Sequence, residues 1–274
     1  MKPTVFLRIV LSILFALQTP AAHAKKFLVV IDPGHGGPDK GAIYRENGTI
    51  LSEKTLTLLV AHDLARELLI RGVDAVLTRT EDKDVLLSDR TALANKLKAD
   101  VFISIHLNSS VDKIRSGGVE TFILNHATDD TSRRLADMEN AVLKDSRANS
   151  QNGSNVSLIM KDLILDGNLA PSKELACSVQ GRIKTATRDR GIKQALFYVL
   201  LGTDMPSILI ESGFMNSKPD RDRILNTKTR LILAAEIASA VDDYRRKKTP
   251  KHCQVLSELQ YKRDDEPKHP RKNL

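Results

Sequence analysis

The sequence predicts an α/β protein, a three-layer sandwich with a largely parallel, twisted central sheet and helices on both faces. Two observations carry this. Short apolar runs of strand length alternate along the chain with longer segments whose apolar residues recur at helical spacing. Residues that commonly carry chemistry, among them His35, His106 and Glu211, stand at or just beyond strand ends, and in open α/β sheets groups beyond the carboxyl ends of strands converge on one crevice.

The elements follow in order. Phe27 to Asp32 (FLVVID) reads as a buried strand and is followed by Pro-Gly-His-Gly-Gly. Ser52 can cap a helix running through Arg71, with Leu56, Leu59, Val60, Leu64 and Leu68 at helical spacing and Gly72 ending it. Val73 to Thr78 is a second strand, and Ser88 begins a helix through Lys98. Val101 to Ile105 is a third strand and Val119 to Leu124 a fourth. Residues 129–149 and 156–189 read mostly as helix, interrupted by a Gly/Asn/Ser stretch at 149–155. Leu196 to Leu200 and Ser207 to Ile210 read as short strands, and a last helix runs from about Thr227 to Arg246.

Composition excludes several classes. With 274 residues, 41% apolar and two Cys, the chain is too apolar to be disordered and too poor in Cys to be a disulfide scaffold. After the first residues no stretch approaches the length of a membrane span, so the mature chain is expected to have none. The formal charge of +8 sits at the ends: residues 1–24 carry +2 and residues 245–274 carry +6, leaving the body between them balanced. A nucleic-acid partner is therefore not expected, since it calls for Lys and Arg clustered on the folded domain.

Residues 1–24 have the pattern of an export signal: basic Lys2 and Arg8, the apolar core Ile9 to Leu17, and Ala22-His23-Ala24 as a small-x-small cleavage site. The folded domain is then expected over 25–246, and 247–274 is a basic tail expected to be disordered. Cys177 lies in a helical stretch and Cys253 in the tail, and two free thiols are the favoured reading over a disulfide.

Four residues suggest chemistry. His35 follows the first strand, Glu53 opens the first long helix, His106 follows the third strand and Glu211 ends the last. Two His and one carboxylate make a catalytic zinc set that leaves a position for water, and a further carboxylate can take the water's proton. Each also has a structural reading: a loop or core His, a Glu favoured by the helix dipole, glycines that serve only a turn. The intervals of 18 and then 53 residues tie the candidates to no local metal motif.

Five segments change that balance. VVIDPGHGGPDKGA, the helix opened by Glu53, RTALANKLKADVFISIHLNSS, GGVETFIL and PSILIESGFMN resemble, in order, the motifs of the zinc-dependent N-acetylmuramoyl-L-alanine amidases of the periplasmic cell-wall type. The resemblance spans Val29 to Asn216. It implies cleavage of peptidoglycan at the amide joining N-acetylmuramic acid to L-alanine of the stem peptide. It also implies Zn2+ held by His35, Glu53 and His106, Glu211 as catalytic base, and Asn108 as a contact for substrate or loop. Asp32, Gly36 or a backbone carbonyl is expected to orient His35 through its other ring nitrogen. Thr57 stands where the family often has Asn, and Leu107 where a small residue is common. An exported, periplasmic monomer serving wall remodelling or daughter-cell separation is expected, with a divisome activator as a candidate partner. Some members block the zinc with a Glu on an inserted helix. Here the comparable stretch, Asn125 to Pro171, has 47 residues, which reads as too short for a full insertion, so an open site is expected and Glu139 is expected to stand clear of it.

Three further classes compete with the amidase. Ser110 and Lys113 fit the S-x-x-K pattern of a penicillin-sensitive serine DD-carboxypeptidase, a pattern short enough to arise by chance. A non-catalytic peptidoglycan-binding protein is the second class and a zinc carboxypeptidase the third. His62 lies nine residues beyond Glu53, on the opposite helix face and about 13 Å along the axis, and so is excluded from a shared metal. His126 remains a minor cleft candidate. Arg79, Asp82, Arg90 and Asn95 read as structural.

Overall fold

The structure is a computed structural model that describes residues 25–46, 48–109, 117–127, 129–141 and 156–253, with backbone only for 156–166 and 186. Its strands are β1 (Leu28–Pro33), β2 (Ile43–Glu46), β3 (Thr49–Ser52), β4 (Asp74–Leu77), β5 (Val101–Asn108), β6 (Val119–Leu124), β7 (Asp189–Ala195) and β8 (Ser207–Phe214). Its helices are α1 (Glu53–Ile70), α2 (Leu87–Lys96), α3 (Asp130–Glu139), α4 (Val156–Ile183), α5 (Tyr198–Leu201), α6 (Lys218–Leu225) and α7 (Thr227–Arg245). Six strands form one sheet in the order β4-β1-β5-β8-β6-β7, and β2 and β3 form a separate hairpin. From β4 to β8 neighbouring strands run parallel; β6 pairs antiparallel with β8, and β7 runs parallel to β6.

The sandwich arises because alternate residues of the central strands are apolar on both faces. Val29, Ile31, Val101, Ile103, Ile105, Ile208 and Ile210 point into a core covered by α1, α4 and α7. Val30, Phe102, Phe122, Leu124 and Leu209 point into a second core, under α2, α3 and α5. The central strands, buried on both faces, are therefore mainly apolar, as parallel sheets require. The expected fold class is observed.

Several boundaries differ. The run at Leu196–Leu200 is not a strand: the edge strand is β7, and Tyr198–Leu201 is a short helix. Glu211 lies inside β8, which continues to Phe214. The segment read as helix over 129–149 is helical only over Asp130–Glu139 among the described residues.

The two cysteines correct another expectation. Cys177 on α4 and Cys253 are joined in a disulfide. The polypeptide beyond α7 packs on the domain as far as Cys253, with Thr249 and Cys253 buried and Thr249 donating to Glu174. Residues 247–253 of the expected tail are thus tied to the domain at Thr249 and Cys253, while the residues between these points are exposed.

Under the carboxyl end of β1, Asp32 is buried and accepts from Arg90 Nη1 at 2.8 Å, Thr78 Oγ1 at 2.6 Å and Ser104 Oγ at 2.8 Å. Burial alone would raise its pKa; the Arg90 guanidinium and these donors outweigh burial and hold it below the usual carboxylate range. Arg90 also donates to the carbonyls of Pro33 and His35 at 2.9 Å each, so this ion pair fixes the loop that carries His35. Arg90→Ala would leave a buried carboxylate without its cation. A loss of about 3–5 kcal/mol in denaturant unfolding is expected, and a loss below about 1 kcal/mol would show the pair to be dispensable.

Candidate active site

Three of the expected residues meet at one end of the sheet. His35 lies in the loop after β1 with φ 62°, a left-handed conformation uncommon for a residue with a side chain. Its neighbours leave little choice: a Cβ on Gly34 would stand 2.5 Å from the His106 ring, and one on Gly36 would stand 2.2 Å from the Lys83 carbonyl oxygen. Glu53 is the first residue of α1, where the helix dipole favours an anion. It is buried, and its two oxygens accept the backbone N–H groups of Leu107 and Ala42, each at 2.9 Å. His106 is the sixth residue of β5.

The donor atoms converge. His35 Nε2 and His106 Nδ1 each lie 3.1 Å from Glu53 Oε1. The imidazole centroids are 4.9 Å apart with planes at 73°, so the rings meet edge to face. His35 Nε2 is buried without a hydrogen-bond partner, the arrangement of a nitrogen whose lone pair serves a cation. His35, Glu53, His106 and Glu139 each offer one ligand atom within 4.8 Å of the others. Two imidazoles and a carboxylate fit a zinc ion by the chemistry of the set.

Glu139 overturns the expectation of an open site. It is the last residue of α3, and its Oε2 lies 3.3 Å from both His35 Nε2 and His106 Nδ1. The length of the inserted stretch is the wrong measure, because a helix of 10 residues lying over this sheet face is enough to bring one carboxylate to the cluster.

The residue that orients His35 is Asp39, not Asp32 or Gly36. His35 Nδ1 donates to Asp39 Oδ2 at 2.8 Å, which leaves Nε2 for the cluster. Asp32 instead belongs to the Arg90 network. Gly36 exchanges backbone hydrogen bonds with Asp39, at 3.0 and 3.2 Å, and so shapes the loop that presents Asp39. Thr57 donates to the Gly34 carbonyl at 3.0 Å and accepts from Arg79 at 3.1 Å, a loop-fastening role that Thr fills here.

Glu211 sits beside His106 in the register of β5 and β8, and opposite Glu120 in that of β8 and β6. It is 0% exposed and neither oxygen has a hydrogen-bond partner. Burial first, then the carboxylates of Glu53, Glu139 and Glu120, push its pKa well above the ordinary value. A buried carboxyl so perturbed beside the donor cluster is a candidate for proton transfer. Among the protein groups alone, burial opposes charge on His35, but Glu53 and Asp39 outweigh it and hold the imidazole well above its usual value.

The contact expected of Asn108 turns inward. Its Nδ2 donates to Glu120 Oε1 at 2.6 Å, and Glu120 also pairs with Arg190 at 3.0 Å and Lys193 at 2.5 Å. Nothing in the sequence singles out Glu120, because its place beside Glu211 depends on antiparallel pairing between β6 and β8. Leu107 is buried in the core, and its N–H serves Glu53. Beside the cluster a cavity of about 350 Å³ is lined by Gly41, Ala42, Leu107, Ser109, Leu135 and Met138, among others.

Ser110 and Lys113 lie outside the described residues. His62 is exposed, with Nε2 3.1 Å from the Thr80 carbonyl oxygen, and His126 is exposed beyond β6. Neither belongs to the cluster. Asn95 donates to the Gly202 carbonyl and accepts from Asp204 N–H, tying α2 to the turn before β8.

An α/β sheet with a His/Glu donor cluster beside the carboxyl ends of its parallel strands defines a class, the α/β proteins with a candidate metal site in the crevice at that sheet end. Comparison with known proteins narrows it. Residues 29–243 match the family described as N-acetylmuramoyl-L-alanine amidase, and the chain belongs to that family. It is 32% identical over 242 residues to N-acetylmuramoyl-L-alanine amidase AmiA of Escherichia coli (strain K12), covering 83% of this chain and 82% of the relative. Among solved structures, an N-acetylmuramoyl-L-alanine amidase from Clostridium difficile 630 is 34% identical with a TM-score of 0.62, covering 82% of this chain and 100% of that one. The amidase AmiC2 of Nostoc punctiforme is 30% identical with a TM-score of 0.60, covering 81% and 99%. The chain is an enzyme of this amidase type, a peptidoglycan hydrolase, and the serine carboxypeptidase and non-catalytic readings give way to it.

Proposed function

We propose that the chain hydrolyses the amide between the lactyl group of N-acetylmuramic acid and L-alanine of the stem peptide, with zinc held by His35, Glu53 and His106 and with Glu211 as general base. The convergence of the imidazole nitrogens and the Glu53 carboxylate, with His35 Nε2 buried and making no hydrogen bond, carries this reading. Zinc bound there supplies Lewis acidity towards the scissile carbonyl and makes water acidic enough to attack near neutral pH. Asp39 fixes the His35 tautomer, and the amides of Ala42 and Leu107 fix Glu53, so the ligands are preorganised. Glu211 takes one proton from the attacking water and delivers it to the departing amine nitrogen as the C–N bond breaks. The products are the lactyl carboxylate and a stem peptide with a free L-alanine amine.

Mass spectrometry of purified peptidoglycan incubated with residues 25–274 tests this. Free stem peptides beginning at L-alanine are expected with zinc and not with chelator. Loss of only the terminal D-alanine, insensitive to chelator, would overturn it in favour of a serine such as Ser110.

Glu139 gives this reading a regulatory side. In the resting chain it takes the position that water and substrate need, so a partner that withdraws α3, such as a divisome activator, would switch the enzyme on. Glu139→Ala is expected to raise turnover of soluble muropeptides about tenfold to a hundredfold without partner, the span of typical coupling energies. Unchanged or lower turnover would remove the blocking role.

Export to the periplasm and a part in daughter-cell separation complete the proposal. The disulfide supports an oxidising compartment. Residues 1–24, which carry the export pattern, lie outside the described residues. Among those described, no helix is long and apolar enough to cross a membrane.

A further inference from the structure

The blocking helix α3 is weakly held. It has 10 residues, too few to be stable alone in water. Ser132, Leu135 and Ala136 are its buried residues. Asp130, Thr131, Arg133, Arg134, Asp137 and Met138 face solvent. Asp129 caps its first turn, accepting from Ser132 N at 2.8 Å. At its other end, immediately after Glu139, Asn140 reaches across to the turn between β7 and α5. Its Nδ2 donates to the Leu196 carbonyl at 2.7 Å, and its Oδ1 accepts the Tyr198 N–H at 2.9 Å. Both polar ends of one amide are thus engaged by the backbone of a single turn, and that turn is anchored by buried Phe197 and Val199.

We propose that Asn140 is the latch of the resting enzyme: a positioning residue whose two hydrogen bonds to the Leu196–Tyr198 turn hold α3 where Glu139 enters the donor cluster. This rests on the reading of Glu139 as the blocking ligand. Leu135 and Ala136 resist sliding only through apolar contact, which is non-directional. The two Asn140 bonds are directional and fix the register of the helix end one residue from the blocking carboxylate. A partner that competes for the Leu196 carbonyl or the Tyr198 amide would release the site without touching the cluster.

The latch can be cut from either side. Asn140→Ala removes both bonds and leaves Glu139 in place. Of the two latch bonds Tyr198→Pro removes the one donated by the amide, at the first position of α5, where proline is tolerated, and after Phe197, whose ψ of 121° suits a residue preceding proline. Tyr198→Ala, which keeps the amide, is its control. With each net hydrogen bond near 1 kcal/mol, the ratio of latched to released helix should fall about thirtyfold in Asn140→Ala and about fivefold in Tyr198→Pro relative to Tyr198→Ala. Three readouts follow it: turnover of soluble muropeptides, loss of zinc to a chelator, and hydrogen exchange of α3 amides in protein stripped of metal. Faster values in all three are expected, with turnover no higher than in Glu139→Ala. Asn140→Ala added to Glu139→Ala should leave turnover where Glu139→Ala alone puts it.

The failures are distinguishable. If Glu139→Ala leaves turnover and zinc loss unchanged, the blocking reading fails and the latch with it. If Glu139→Ala activates but both latch variants exchange and turn over as the wild type does, the latch alone is overturned. Should Asn140→Ala unfold, as judged by circular dichroism, the Tyr198→Pro and Tyr198→Ala pair decides, and equal exchange in the two counts against the latch.

Discussion

Glu211→Gln is expected to lower kcat about 10³-fold, within the range that a general acid–base group supplies, while zinc content and folding stability stay at the wild-type level. Glutamine keeps the volume and planar shape of the side chain and loses only the capacity to carry a proton between water and amine. Stability should hold because Glu211 gives the fold little. It is fully buried, neither oxygen is bonded, and carboxylates of Glu53, Glu139 and Glu120 surround it. An ionisable group in such a place costs stability, so a neutral replacement should be tolerated or even stabilising. The loss should fall on kcat with KM nearly unchanged, since the proton transfers occur on the way to the transition state. Three measurements on one preparation separate the possibilities: steady-state kinetics, zinc by elemental analysis, and thermal melting. Turnover within tenfold of wild type would remove Glu211 from the proton path. Loss of zinc in parallel with activity would make it part of the metal's support.

The residues hardest to read from sequence are those whose meaning depends on pairing across the sheet or on a helix end. β1, α1 and β5 announce themselves because both faces of the central strands are apolar and α1 carries a periodic buried stripe. β7, by contrast, is the edge strand DRGIKQA, which is mostly polar and half exposed, while the apolar FYVLL beside it folds as the start of a short helix. A short apolar run does not distinguish strand from buried helix. The hairpin of β2 and β3 has strands of four residues with mostly exposed side chains, too little pattern to register. In the site, His35, Glu53 and His106 are legible through their motif context, whatever the distance between them in the chain. Asp39 is within reach, four residues from His35, but a glycine-rich loop has no fixed period to relate the two. Glu139 is visible in the sequence and misleading there, because chain length says how much polypeptide is inserted and not where the last carboxylate of a helix points.

Replacing both Cys177 and Cys253 by Ala is expected to lower stability by about 4 kcal/mol, and the melting temperature by roughly 10 °C for a domain of this size. The bond joins positions 76 residues apart, enclosing the end of α4, β7, α5, β8, α6 and α7. A loop of that length restricts the unfolded chain more than a short one does. The native state also gains locally, since Cys253 is buried and Thr249 is held against Glu174 in the same segment. Without the bond, residues 247–253 should detach first, as termini that are not tied down do, leaving a helix face exposed around Cys177. The candidate active-site residues lie in the loop after β1 and on α1, β5, α3 and β8, none of which carries either cysteine, so turnover at low temperature should survive. Thermal melting of wild type and double variant, each with and without reductant, checks this. Reductant should bring the wild type down to the double variant and leave the variant unmoved. Equal melting temperatures for all four samples would show that the bond adds nothing to the fold, and a reductant effect confined to the variant would point to some other cause.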